Sequence, residues 1–309
     1  MGFDIKAHIK KARPNLKDNS AEAYALALRT LYQKMGNKGE VLDFNYLKDY
    51  DAVTEALEIY RPTTRKNMLN AVIVALKCKA GVDCSKYDKL RDKYNKDYED
   101  EHKGNVKNRK QRANWVEWSK FEKMLEYFDK EVRRLRLRRK PTLTPSEYVL
   151  LGDYVIVKFY HDYPLRNDLH DVRVGSARDA KDSDSNYLER SKNSMTLILR
   201  EYKTSKKYGE KRIELNSKLT GLLRDYLRHN KTGWLLINER TGEPMSGHNI
   251  TTRLQRITKD RLGKKVGSNM LRHSYLSHKY ADTTEEMKKD SNIMGHSVEV
   301  QQKFYVKSS

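Results

Sequence analysis

Four segments of this 309-residue chain hold side chains that can handle a phosphate ester. YPLRNDL carries Arg166 at the end of an apolar run. REYKTSKKYGEKRIEL carries Lys203, SNMLRHSYLSHKY carries Arg272, and MGHSVEVQQKFYVK carries His296 and Tyr305. A guanidinium matches paired phosphate oxygens in fork geometry. An ammonium can give a proton to a leaving oxygen. A phenol can attack and hold a covalent intermediate. Taken singly, each residue also has an ordinary reading. Arg166 could be one surface arginine among many, and Lys203 sits with Lys206 and Lys207 in a charged hairpin tip. His296 follows Gly295 and could cap a helix, and Tyr305 is one of 20 tyrosines. His273 and His278 are read as packing or backbone-bonding histidines. No carboxylate or cysteine lies at a spacing that would complete a metal site with them.

The charge balance names the class of partner. Lys and Arg number 63 against 42 Asp and Glu, a formal net charge of +21. A surplus of that size attracts polyanions. Nucleic acid is the expected partner, because each neutralised phosphate releases condensed counterions. A membrane is not expected: no run approaches the roughly 20 apolar residues of a span, and no stretch has the apolar face of an interfacial helix. Cys78 and Cys84 make neither a disulfide framework nor a four-ligand zinc site, and Cys78 is expected to be buried beside Leu76. The start, MGFDIKAHIKKARPN, has no signal-peptide core, and Lys6 stands where myristoylation wants Ser or Thr. The expectation is an intracellular protein, not a secreted one.

LRHSYLSH and MGHS, with Tyr305 nine positions after His296, resemble the two C-terminal boxes of the tyrosine recombinase (phage-type integrase) family. PLRND stands in the place of that family's first arginine box. Lys203–Thr204, just past a strand, is similar to its catalytic-lysine hairpin. PTTRKNMLNAVIVAL resembles part of its helical core-binding domain, so the likeness covers nearly the whole chain. The style of PLRND is loosely like integrases of large DNA viruses or their mobile elements. With the pieces in the family's order, the ordinary readings weaken together.

The resemblance implies a site-specific recombinase that cuts and rejoins DNA through a 3′-phosphotyrosine link, without metal, ATP or other cofactor. It gives Tyr305 the nucleophile's role and has Arg166 and Arg272 grip the non-bridging oxygens. Lys203 would be the general acid, and His296 would bond a phosphate oxygen or orient the nucleophile. It also implies double-stranded DNA as the partner and a homo-tetramer on paired DNA sites. Only four residues follow Tyr305, so a long exchange helix beyond it is not expected. Two positions depart from the pattern. Asn269 stands at the usual histidine, where an amide can donate a hydrogen bond but not transfer a proton. Asp168 follows Arg166 by two positions where three is usual. Alternatives are a type IB topoisomerase-like strand-passing enzyme and a DNA-binding relative that has lost catalysis, to which Asn269 lends the only support.

These residues need a scaffold. The periodicities predict a mainly α fold with a small antiparallel sheet (α+β), and the resemblance adds a C-shaped clamp on DNA. Residues 1–100 read as a helical DNA-binding domain. In it Asn19 or Ser20 caps a helix ending at Gly36, and further helices cover Asn45 to Tyr50 and Ala52 to Ile59. Pro62 breaks the chain, and Thr63 or Thr64 caps a helix whose first turn presents Arg65 and Lys66 to DNA. From Lys86 to Arg112 apolar residues thin out. That stretch reads as a solvated helix and a basic linker, 101–114, strapping DNA with Lys107, Arg109, Lys110 and Arg112. The catalytic domain, 115–309, opens with an amphipathic helix on Phe121, Leu125 and Phe128, followed by a very basic run read as an exposed helix end. YVLLGDYVIVKFYHDY then reads as a buried helix. TLILREY and KRIELN read as strands joined by TSKKYGE as a turn. Leu219 to Leu227 is helical and WLLIN extended.

Overall fold

The computed structural model describes residues 3–77, 83–102, 107–294 and 298. The chain divides into two compact units, Met1–Val106 and Lys107–Ser309. Among the described residues no helix is long and apolar enough to cross a membrane.

The first unit is helical. α1 (Ile5–Ala12) is capped by Asp4, whose carboxylate accepts the Ala7 N–H at 3.0 Å. α2 (Asp18–Lys34) buries Ala21, Ala25, Leu28 and Leu31, the one-face spacing of an amphipathic helix. Its N-cap is Lys17 rather than Asn19 or Ser20; those two lie inside the first turn. A short 3-10 turn, Asn45–Lys48, replaces the helix expected there. α3 (Tyr50–Glu58) is capped by Asp49, and α4 (Pro62–Lys77) begins on the proline itself. Pro62 opens α4 because the first helical position needs no N–H and suits the fixed φ of proline. Thr63 and Thr64 are therefore helical rather than caps. α5 (Ser85–His102) is not a solvated helix all round: Tyr87, Leu90 and Tyr94 enter the core, and the Tyr87 hydroxyl donates to the Leu47 carbonyl at 2.8 Å. Cys84 is buried, whereas Cys78 lies outside the described residues.

The second unit surrounds one buried helix. α6 (Arg109–Asn114) starts from an Asn108–Gln111 capping box, so the second part of the expected linker is helical. α7 (Trp118–Arg134) lays Trp118, Phe121, Met124, Phe128 and Val132 on the core, with Leu125 partly buried beside them. The basic run beyond it is tied down: Leu137 is fully buried and Arg138 pairs with Asp225. α8 (Pro145–Asp162) is apolar on nearly all sides, as a helix with neighbours all round must be. β1 (Arg173–Gly175), α9 (Ala177–Lys181), β2 (Tyr187–Arg190), β3 (Met195–Leu199), α10 (Ser205–Tyr208) and β4 (Lys211–Glu214) follow. α11 (Ser217–His229), α12 (Gly247–Leu262) and α13 (Ser268–Met294) complete the unit, with α7, α11 and α12 packed on α8.

The four strands lie in the order β1-β2-β3-β4. β2, β3 and β4 form the expected antiparallel part, but β1 pairs parallel to β2, so the sheet is mixed. The segment between β3 and β4 carries a helical turn, α10, rather than a plain turn. Trp234 of the extended WLLIN segment bridges Arg173 at the β1 side.

A buried ionic cluster locks α12 to α8. Arg253 donates to Asp153 Oδ1 at 2.7 Å and to the Val149 carbonyl at 3.0 Å, and also pairs with Glu239. Gly152 leaves room for this approach: a Cβ there would stand 2.7 Å from Arg253 Nη2, and the guanidinium would have to shift.

Candidate functional site

Arg166 lies in the loop that leaves α8, and that loop is held from three sides. The Tyr163 hydroxyl donates to the Glu214 carbonyl at 3.1 Å and accepts the Asn216 N–H at 2.9 Å, tying the loop to the end of β4. Asp162, the last residue of α8, accepts from Lys158 at 2.6 Å, His161 at 2.8 Å and Asn216 at 2.7 Å. Burial alone would raise that carboxyl, but the hydrogen bonds from His161, Asn216 and Lys158 outweigh it and hold it at about 2. Asn167 donates to the Gly247 carbonyl at 3.0 Å and to Thr251, fixing the loop to the start of α12.

The fully buried Tyr160 joins the loop to α13. Its hydroxyl donates to Asn167 Oδ1 at 3.1 Å and lies in hydrogen-bonding reach of Ser268, the first residue of α13. Burial pushes this phenol well above its ordinary value, with the Asp168 charge adding to the effect, so it stays a neutral donor. α13 is anchored by its first two turns: Ser268, Leu271 and Ser274 are buried, and Ser274 donates to the Val116 carbonyl at 2.6 Å. From Tyr275 to Asp290 no residue is buried.

This frame brings Arg166 and Arg272 together, though they are far apart in sequence. Burial, and then the charge of Arg166, push the Arg272 guanidinium below its ordinary value, while Asp168 opposes them. Burial pushes the Asp168 carboxyl up, and Arg166, His170, Lys211 and Arg272 pull it part of the way back. One half-buried carboxylate thus stands among several cations.

Arg166 and Arg272 differ from the other sheltered arginines. Six described arginines are buried or half-buried: Arg65, Arg91, Arg166, Arg200, Arg253 and Arg272. Arg65 donates to the Glu58 carbonyl, Arg91 to Asp88, Arg200 to Glu210 and Arg253 to Asp153. The Arg166 carbonyl accepts from the Tyr160 hydroxyl at 3.4 Å, but the guanidiniums of Arg166 and Arg272 make no hydrogen bond or ion pair among the described residues. Sheltered guanidiniums normally have acceptors, so two within electrostatic reach of one another, with no acceptor among the described residues, can seat an oxyanion.

The other expected site residues are placed as follows. Asn269 is exposed, one turn before Arg272 and on the same side of α13. Lys203 is exposed in the turn after β3 and has no partner among the described residues. His296 and Tyr305 lie outside the described residues. His273 and His278 are both exposed, which counts against packing, one of the two roles expected for them.

Of the expected DNA contacts, Arg65 is turned inward, its guanidinium 5.2 Å from the Tyr94 ring, and Lys66 lies 5.0 Å from the Tyr98 ring. Arg109 is exposed, and the Lys110 side chain is outside what is described. Lys107 stacks 3.7 Å above Trp115. With Arg112, Lys120 and Lys264 it lines a concavity of about 480 Å³, with Glu117 as its only acidic lining residue. Lys120 and Lys264 were not singled out from sequence, because they reach this basic hollow from α7 and from the α12–α13 turn. Asn167 was also missed.

No protein-family model matches the chain, and no curated protein matches it.

Proposed function

We propose that this protein is a site-specific DNA recombinase of the tyrosine type, which cuts one strand, holds it covalently and rejoins it. The observation that carries the reading is the pair of half-buried arginines, Arg166 and Arg272, each within electrostatic reach of the other and neither guanidinium with an acceptor among the described residues. A pentavalent phosphorane carries more negative charge on its non-bridging oxygens than the diester it comes from. Fixed donors aimed at those oxygens therefore favour the transition state over the ground state.

In this mechanism the Tyr305 phenolic oxygen attacks phosphorus and its proton passes to solvent. The bond to the 5′ oxygen breaks, the departing oxygen takes a proton from the Lys203 ammonium, and a 3′-phosphotyrosine and a 5′-hydroxyl remain. Attack by a 5′-hydroxyl reverses the sequence, so the bond energy is conserved and no nucleotide is spent. Arg166 and Arg272 grip the non-bridging oxygens, and Asn269 and His296 add hydrogen bonds to the same group. The surplus of positive charge favours the phenolate. Paired DNA sites would be bridged by a tetramer of this chain, inside a cell where DNA is available.

Chain length constrains how Tyr305 arrives. Met294 lies 22 residues beyond Arg272 on α13, about 33 Å at ~1.5 Å per residue. The next 11 residues to Tyr305 reach at most about 36–40 Å when fully extended. Attack within one chain therefore needs either a nearly straight return or a break in the solvent-facing part of α13. Attack on DNA held by a second copy removes the constraint.

The experiment is trapping on nicked duplexes with randomised flanks, in which the cut strand loses the short fragment needed for rejoining. Adducts that survive denaturant and share a DNA motif support the reading. Adducts with no motif, together with relaxation of plasmid lacking any site, point instead to a strand-passing topoisomerase. Binding without adducts points to a relative that only binds DNA, the role to which Asn269 is also suited.

A further inference from the structure

The basic run after α7 takes no part in the arginine site. α7 ends in a hydrogen-bonded turn: the Arg136 N–H donates to the Arg133 carbonyl and the Leu137 N–H to the Val132 carbonyl, both at 3.0 Å. Arg136 is left-handed there, with φ 52°. Glycine ordinarily fills that position, because a Cβ is strained in it. The turn sends Leu137 into the core and leaves Arg136, Arg138 and Arg139 in solvent. An arginine kept where glycine is easier points to a use for its charge.

The run is pinned to the outer face of α11. Arg138 pairs with Asp225, and Arg228 donates to the Arg138 carbonyl and to Asp225. Beside this contact is a hollow of about 510 Å³, rimmed by Arg190, Arg224, Arg228 and Lys231. Among the described residues Asp225 is its only acidic lining residue, and Arg138 and Arg228 already neutralise it. Arg224 donates to the Lys192 carbonyl at 2.6 Å, which fixes its position and leaves its charge. The side chains of Arg136, Arg139, Arg190 and Lys231 are exposed, with no hydrogen bond or ion pair among the described residues.

This surface and the arginine pair lie at opposite ends of the second unit. α8 and α11 run antiparallel. Asn216, the cap of α11, meets Asp162 at the end of α8, beside the Arg166 loop. At the other end the Tyr148 and Tyr226 rings stack 5.5 Å apart and their hydroxyls bond at 3.2 Å. Arg224, Asp225 and Arg228 flank Tyr226 there. Tyr148 and Asp162 are 14 residues apart on one helix, about 21 Å at ~1.5 Å per residue. The sheet has the same polarity: Met195, which opens β3, lines the hollow, whereas Lys203 follows the end of β3.

Clustered, unpaired cations attract a polyanion. Among the described residues no aromatic ring lines the hollow, so a single strand finds no platform for its bases. An acidic protein would seek an exposed apolar anchor, and the floor residues Met195 and Leu227 are only 2% and 5% exposed. Guanidiniums held on a helix and a fixed turn suit the phosphates of a duplex, and read no base. We propose that Arg136, Arg139, Arg190, Arg224, Arg228 and Lys231 hold a second DNA duplex, remote from the one at the arginine pair, so that one chain bridges two DNA segments. The inference takes from the reading above only that DNA lies at the arginine pair; it needs no strand cleavage.

The test uses the full-length protein and a labelled duplex too short for two chains to share. Sedimentation at physiological ionic strength counts duplexes per chain. Wild type should carry two. Arg139→Gln/Arg190→Gln/Lys231→Gln should hold the second at least about ten-fold more weakly, with the first within a few-fold and the melting temperature unchanged. Arg136→Gly should melt no lower than wild type, yet also weaken the second duplex. One duplex per chain for wild type would overturn the proposal, as would two held undiminished by the triple variant. Equal weakening of both duplexes by that variant would make the surface part of the first site, which also overturns it. If wild type holds one duplex, and polyglutamate binds it but not the triple variant, the partner is an acidic protein and not DNA. Wild type with no duplex at all would sink the strand-cleavage reading too, whereas one per chain leaves that reading standing.

Discussion

Arg272 stands within the field of Arg166, and the charge of one disfavours the charge of the other. Two like charges held together, with no acceptor among the described residues, store repulsion that an arriving anion relieves. Replacing either by lysine keeps the charge but loses the fork. Arg166→Lys and Arg272→Lys should each lower cleavage by roughly 100- to 1,000-fold, while DNA affinity changes only a few-fold. Single-turnover cleavage beside a gel-shift titration checks this. Equal losses in binding and cleavage would mean that the pair serves affinity alone.

Asn167 aims Arg166 without touching DNA in this account. Asn167→Ala removes its bonds to Gly247 and Thr251 and an acceptor for the buried Tyr160 hydroxyl. Leaving such groups unpaired costs about 1–3 kcal/mol. The variant should melt a few degrees lower and cleave about ten-fold more slowly at saturating DNA. Calorimetry and saturated single-turnover rates give both numbers, and an unchanged rate at saturation would remove Asn167 from the site.

Much of the scaffold is legible in the sequence because the signals are local. The apolar run of α8, the hairpin strands and the amphipathic face of α7 each follow from residues within a few turns of one another. α5 hid its face because its buried residues include Tyr87 and Tyr94, set among charges. β1 was hidden because three residues pair in parallel with a distant strand. The arginine pair was found by resemblance, but its want of acceptors depends on the side chains that six sheltered arginines meet in three dimensions. The partners of Asn167 lie 80 and 84 residues away, and nothing local announces such contacts.

Asp162 makes stability depend on pH in a defined direction. Its folded-state value, about 2, is below the ordinary carboxylate value of 3.8. Its stabilisation is therefore complete above pH ~4 and is lost as pH falls through about 2. The shift corresponds to about 2 kcal/mol at neutral pH for this carboxylate, whose side chain is 7% exposed. Asp162→Asn should be less stable than wild type by about that amount at pH 7, and the gap should close near pH 2. Urea titrations across that range measure it, and a gap that stays constant with pH would assign the loss to packing.

The basic hollow beside Trp115 should report through salt. If Lys120 and Lys264 each meet a DNA phosphate, replacing either by alanine should make the slope of log affinity against log salt shallower by about 0.9. Sequence preference in the trapped DNA should not change, because phosphate contacts carry no base information. Affinity measured at several salt concentrations decides it, and unaltered slopes would take the hollow off the DNA path.

The central claim is that Tyr305 itself becomes joined to DNA. Trapped complexes can be digested with protease and nuclease, and the peptide bearing the nucleotide remnant sequenced by mass spectrometry. The account expects one modified peptide, QQKFYVK or its fragment, with phosphate on Tyr305, and no adduct from Tyr305→Phe. Adduct formation by Tyr305→Phe at the wild-type level, or a remnant on any other residue, would contradict it.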